Sequence, residues 1–215
     1  MKKVIAFSLW GDNPVYTIGA IKNADLALDI YPGWICRFYV GKSVPIDIIN
    51  ELISKENTEV FVMNPQGDWT AMFWRFYPAS DSDVHVMISR DTDSRLDLRE
   101  KSAVDEWLTG NKSFHIMRDH PYHTTEILGG MWGARGSLLS NMTSMILDYT
   151  KGDFWQVDQN FLKERVYPLV KTHACVHDEF FEKRAFPTIR TSKRFVGQAF
   201  TGDDDLLHPE HAEML

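Results

Sequence analysis

Strand and helix patterns alternate from Lys3 to Met63, and this alternation most constrains the fold. Lys3–Leu9 is rich in β-formers and reads as a strand, broken by Gly11, Asn13 and Pro14. From Tyr16 to Tyr31, Ala20, Ala24, Ala27, Leu28 and Tyr31 recur at helical spacing, and Pro32-Gly33 ends the helix. Trp34–Val40 is the next strand, Pro45–Leu52 a short helix and Glu59–Met63 a third strand. Strands joined through helices lie parallel, so the pattern predicts an α/β domain with a largely parallel sheet. A length of 215 residues suits one domain.

The pattern continues less regularly. Gln66–Pro78 is dense in aromatics and predicts a helix packed on the sheet. Val84–Ile88 predicts a buried strand, Leu98–Leu108 a helix stopped by Gly110, and Phe114–Met117 a short strand. The loop RDHPYHTTEILGGMWG follows, then helices over Leu138–Tyr149 and Gln156–Val166. The end, GDDDLLHPEHAEML, is acidic and reads as a loose tail or linker.

Composition removes several classes. At 44% hydrophobic and 25% charged residues the chain is globular rather than disordered. The formal charge is −7 and no run of Lys or Arg stands out, which argues against nucleic acid as a partner. Cys36 and Cys175 make neither a disulfide scaffold nor a Cys-rich zinc site. The start MKKVIAFSLW is too short an apolar run for a signal peptide, and no stretch approaches the roughly 18 apolar residues of a membrane span.

ISRDTDSR (88–95) closes the fourth strand with Asp91 and Asp93 between Arg90 and Arg95. Carboxylates this close repel unless something positive sits between them. The flanking arginines fit that role, as a salt-bridged turn, and so does a divalent cation. Asp-x-Asp also occurs at Asp81/Asp83 and Asp203/Asp205, where a solvated turn is expected. Only the middle pair follows a strong apolar strand, and ligands of open α/β sheets bind beyond the carboxyl ends of strands. Hard oxygen ligands suit Mg²⁺ or Mn²⁺, which would neutralise a leaving diphosphate.

Four further features have both a structural and a functional reading. The glycines of Gly129-Gly130-Met131-Trp132-Gly133 either admit a ligand or make a turn before a strand. Asp158, in Trp155–Gln159, either caps a helix, the simpler reading, or projects into a site. Among His173 and His177-Asp178, a late His either completes a metal shell or is an ordinary polar residue. Arg118, Asp119, His120 and His123 form either a hydrogen-bond network or a hydroxyl-binding cluster.

The order of these features resembles the nucleotide-sugar glycosyltransferases of the GT-A fold. The blocks FSLWG (7–11), RDTDSR (90–95), RE and AVDEW (99–107), MRDHPYH (117–123), GGMWG (129–133) and HDEFF (177–181) look like a smaller group of glycosyltransferase-like proteins from bacteria and large DNA viruses. The resemblance spans roughly residues 3–200, and the tail beyond Thr201 fits a domain cut from a longer polypeptide. It implies a single GT-A (Rossmann-like) domain over 1–200, a mixed, mainly parallel sheet flanked by helices, and a tail at 201–215 leading to any further domains.

For the site, the resemblance implies Mn²⁺ or Mg²⁺ on Asp91 and Asp93 with His177 as third ligand. The nucleotide would lie against Phe7, Ser8, Leu9, Trp10, Arg75, Asp91 and Thr92. Asp158 becomes the acceptor base or sugar-orienting group, acting with Asp91. Arg118, His120, His123, Gly129, Gly130, Trp132 and Gln159 surround the sugar and acceptor. The implied partners are a nucleoside diphosphate sugar, foremost a UDP-sugar, and a hydroxyl on a glycan or glycoprotein, such as a viral capsid glycoprotein. The expected compartment is the cytoplasm, that of the host for a viral protein. Two rival functions are a metal-dependent phosphohydrolase, in which Asp91, Asp93 and His177 activate water, and a non-catalytic carbohydrate module using the Trp-rich loops.

Overall fold

A computed structural model describes residues 1–215. Strands β1 (Lys2–Leu9), β2 (Ile35–Val40), β3 (Thr58–Val62), β4 (Val84–Ser89), β5 (Phe114–Arg118), β6 (Trp132–Arg135) and β7 (Ala174–Asp178) form one sheet in the order β3-β2-β1-β4-β6-β5-β7. Every pairing is parallel except those of β6, which runs antiparallel between β4 and β5. The sheet is therefore mixed and mainly parallel, as the alternation and the resemblance together predict.

Side-chain alternation along β1 feeds two cores. Ile5, Phe7 and Leu9 face one, shared with the helices α1 (Pro14–Ile30), α2 (Ile46–Ser54) and α3 (Leu98–Thr109). Val4 and Ala6 face the other, under the aromatic segment and the helices α4 (Met142–Leu147), α5 (Val157–Phe161) and α6 (Tyr167–Val170). The Asn13 side chain caps α1 by accepting from the Val15 amide at 3.0 Å, and Pro14 sits at its first turn. Small buried residues on α1, among them Gly19, Ala20 and Ala24, let the helix lie close to the sheet.

Three elements depart from expectation for identifiable reasons. Trp69–Ser80 is a 3-10 helix. The Arg75 amide donates to Ser8 Oγ at 3.1 Å instead of to an α-helical carbonyl, and Pro78 has no amide to donate. The helix from Gln156 opens into a π turn at Leu162–Val166, just before Pro168, whose ring and missing amide disturb the α ladder. β6 lies inside the expected loop: Gly133 lets it press onto β4, since a Cβ there would lie 2.9 Å from Ile88 Cγ2.

Residues 201–215 pack onto the domain rather than trailing from it. Asp204 accepts from Arg95 Nε at 2.9 Å and from Lys22 Nζ at 2.5 Å, Phe200 bridges to Leu206, and a short helix α7 (Pro209–Ala212) buries Ala212.

Candidate active site

The chain leaves β4 through Arg90-Asp91-Thr92-Asp93, and α1 holds this turn by its main chain. The buried Asn23 amide donates to the Thr92 and Ser94 carbonyls at 3.3 and 2.8 Å, and its Oδ1 accepts from the Leu96 amide at 3.0 Å. A Cβ on Gly19 would collide with the Thr92 carbonyl. The flanking arginines do not form ion pairs with the acids. Arg90 is buried on Glu100 at 3.1 Å, and Arg95 pairs with Asp204. The salt-bridged turn expected as one reading of this stretch is absent.

The turn opens into a cavity of ≈ 360 Å³ at the carboxyl ends of β1 and β4. Asp91, Thr92, Asp93, Ser8, Leu9 and Trp10 line it, with Arg75 and Asp158 across from them. Arg75 bridges the two sides: Nη1 pairs with Asp91, and Nη2 donates to Asp158 Oδ2 at 2.8 Å. Asp158 does not cap its helix. The chain enters α5 through Gln156, which holds a left-handed φ of 70°, and Asp158 sits within the first turn with Oδ1 accepting from the Gln159 amide at 2.9 Å.

The Gly-Gly pair makes this convergence possible. A Cβ on Gly129 would strike Asp158 Oδ2 and Arg75 Nη2, and one on Gly130 would strike the Asp91 carboxylate and lie 2.9 Å from its amide nitrogen. Gly130→Ala should therefore displace Asp91. We expect a loss of metal-dependent ligand binding with a stability cost of about 1–3 kcal/mol, typical of overpacking. Chemical denaturation and a Mn²⁺ titration of the variant check both.

The electrostatics fit a divalent cation. Burial and the neighbouring Asp91 carboxylate push Asp93 up to about 7, outweighing Arg75 and Arg95. Burial likewise raises Asp158 despite Arg75. Burial and the two carboxylates raise the Tyr16 hydroxyl in the opposite wall. Arg75 is the only Lys or Arg lining the cavity, and it is shared between two carboxylates. Asp91 is 42% exposed toward this space. The pair is short of positive charge and presents hard oxygens, as a Mn²⁺ or Mg²⁺ site does.

Of the other residues named from sequence, Gln159, Gly129 and His123 line the cavity. Burial pushes the His123 imidazole down to about 3, and its Nδ1 accepts from the Asp119 amide at 3.0 Å, so the ring is neutral. Gly130 backs the cavity behind Asp91. Several residues lie elsewhere. Phe7 is in the core, stacked on Phe38 at 4.9 Å. Trp132 is fully buried against Phe114 and Phe76. Arg118 pairs with Asp178 at 2.8 Å, and His120 stacks on Phe195. His177, expected as a metal ligand, points into the sheet's far edge: Nδ1 meets His115 Nε2 at 2.8 Å and Nε2 faces Glu106. The phosphohydrolase reading loses its third member with it.

Sequence reasoning missed Tyr16, Trp69, Met72 and Gln156 in the walls, and Gly197 and Ala199 behind the acids. Trp155 and Trp69, 64% and 44% exposed, stand at this cavity as aromatic faces. The signal for Trp155 was its place two residues before Val157-Asp158. Asp81 and Asp203, of the other Asp-x-Asp pairs, do not line the cavity.

No family model matches the chain, and no curated protein does. Solved structures do. A glycosyltransferase involved in the glycosylation of the major capsid of PBCV-1 superposes over 100% of both chains, with a TM-score of 0.58 and 14% identity. Glucosyl-3-phosphoglycerate synthase from Mycobacterium tuberculosis, solved with Mn²⁺, uridine diphosphate and glucosyl-3-phosphoglycerate, matches 81% of this chain and 68% of its own at a TM-score of 0.53 and 13% identity. A 4-diphosphocytidyl-2C-methyl-D-erythritol synthase from Anaerococcus prevotii matches 88% and 93% at a TM-score of 0.51 and 12% identity. With its single mixed sheet and these neighbours, the chain has the GT-A fold.

Proposed function

We propose that the protein is a metal-dependent glycosyltransferase that moves a sugar from a nucleoside diphosphate, foremost uridine diphosphate, to a hydroxyl on a glycan. The observation that carries this reading is the imbalance of charge in the cavity. Three carboxylates, Asp91, Asp93 and Asp158, face one arginine, with no other Lys or Arg in the walls. A diphosphate enters such a site only with a cation.

Asp91 and Asp93 would hold Mn²⁺ or Mg²⁺, which takes up charge as the diphosphate leaves. Ser8, Leu9, Trp10, Arg75 and Thr92 would receive the nucleotide. Asp158 has one oxygen on Arg75 and the other on the Gln159 amide, and acts as the sugar-orienting group. The Gln159 side chain and His123 supply polar contacts to hydroxyls, and Trp155 an apolar face on which a sugar ring stacks. The resemblance of the sequence blocks and the likeness to the glycosyltransferase of the PBCV-1 major capsid support a capsid glycoprotein as acceptor.

The test is thermal unfolding with uridine diphosphate and Mn²⁺, alone and together. A ligand that binds only the folded state raises the midpoint, by about 2.7 kcal/mol of stability at a hundredfold excess over its Kd. We expect a rise with both together that neither gives alone, and transfer to oligosaccharide acceptors from the matching UDP-sugar. Equal shifts without the metal would overturn the reading.

A further inference from the structure

We propose a second metal site, of different chemistry, on the docked C-terminal segment: His208, Glu210 and His211 bind a borderline divalent cation of the Zn²⁺ type. They are the one group of three metal-ligating residues whose ligand atoms all lie within 4.8 Å of one another. Glu210 Oε1 lies within reach of both rings, 3.4 Å from His208 Nδ1 and 4.0 Å from His211 Nε2. Zn–N bonds of about 2.0–2.1 Å in a tetrahedron place ligand atoms roughly 3.3 Å apart, so small rotations of exposed side chains close the shell. Two imidazoles and one carboxylate with a fourth position open to water suit Zn²⁺, whereas the all-oxygen Asp91/Asp93 pair suits Mg²⁺ or Mn²⁺.

The segment is built to hold these ligands in place. His120, 1% exposed, uses its Nε2 on the His211 carbonyl at 2.9 Å, and the Tyr122 ring packs edge-on against the His211 ring at 5.1 Å. Lys193 pairs with Glu213 at 2.6 Å, and Ala212 is buried beneath the helix. His208 and His211 stack with ring centroids 4.8 Å apart. The helix backbone is thereby fixed, with His208 and Glu210 exposed, His211 half-buried and the three ligand atoms close together. The loop that holds His120 and Tyr122 also holds His123 in the cavity wall, so a cation here would fasten the tail to the edge of the proposed sugar site.

The test uses Co²⁺ as a spectroscopic stand-in and Zn²⁺ as its competitor, on the full chain. Wild type and an Asp91→Asn/Asp93→Asn variant should both show the visible absorption of tetrahedral, nitrogen-bound Co²⁺, and both should lose it on adding Zn²⁺. His208→Ala/His211→Ala should lose the band and weaken Zn²⁺ binding by at least about 100-fold, since loss of an outer partner alone costs 10–100-fold. Glu210→Gln, which keeps both rings, should weaken it by a smaller factor and keeps the test valid if the double variant misfolds. A band that survives His208→Ala/His211→Ala, or one absent from wild type, would overturn the proposal. A band lost instead with Asp91 and Asp93 would do the same and assign the ion to the cavity. None of these outcomes depends on the transferase reading.

Discussion

On the proposed reading, Asp91→Asn is expected to abolish the joint stabilisation by uridine diphosphate and Mn²⁺ and to lower transfer by at least about 10²–10³-fold, the range lost when one charge-stabilising group is removed from a site. The ligand-free protein should barely change. Asp91 is half-exposed to the cavity, Asn still accepts a hydrogen bond from Arg75, and Arg75 keeps Asp158. A partly exposed pair contributes about 1 kcal/mol or less, so the unfolding midpoint moves by no more than about 4 °C for a chain of this size. Activity assays and thermal scans of one preparation separate the two effects. A large fall in midpoint with binding preserved would make Asp91 a structural residue and remove the metal from the reading.

Arg75→Met should show the opposite balance. Arg75 and Asp158 are both buried, with side chains 6% and 1% exposed. Met fills the volume of the stem but leaves the Asp158 carboxylate desolvated with no cation to face it. Breaking one partner from a buried pair costs about 3–5 kcal/mol, which at about 2–4 °C per kcal/mol lowers the midpoint by on the order of 10 °C. Donor binding falls as well, because the wall that orients Asp91 is gone. Adding Asp158→Asn to Arg75→Met should restore much of the stability but not the activity, since the buried charge is removed while the sugar-orienting group stays lost. Denaturant unfolding of the single and double variants measures the recovery. No loss of stability in Arg75→Met would mean that the bridge is not formed in solution.

The first half of the fold was legible because its local and long-range signals agree. β1, β2 and β3 alternate with helices whose apolar spacing, and for α1 the Asn13 cap, point to the same answer. The later elements depend on context. Trp-Gly-Ala-Arg has little strand propensity, and β6 exists because β4 and β5 leave a slot that Gly133 can enter. The 3-10 segment follows from a hydroxyl on β1 capturing an amide across the core, a contact without a local signature.

The site divides the same way. Asp91 and Asp93 were readable because an apolar strand announces its own carboxyl end. Asp158 was a candidate from its own stretch, Arg75 and Gln159 came from the resemblance, and the cavity brings the three together. His177 lies outside it because the order of motifs along a chain says nothing about which edge of the sheet a strand takes: β7 is the outermost strand, beyond β5. Trp69 and Trp155 prove to be exposed, a distinction the sequence does not carry, since large aromatics look alike there whether they face protein or solvent.

The grip of α1 on the Asp-x-Asp turn has an evolutionary consequence. Asn23 and Gly19 hold main-chain atoms, and none of their contacts involves the side chains of Asp91, Thr92 or Asp93. The shape of the turn is thus uncoupled from the chemistry it displays. A lineage can exchange these three side chains, and with them the cation and the donor, without remaking the loop, whereas a change at Asn23 must disturb every chemistry the scaffold could host.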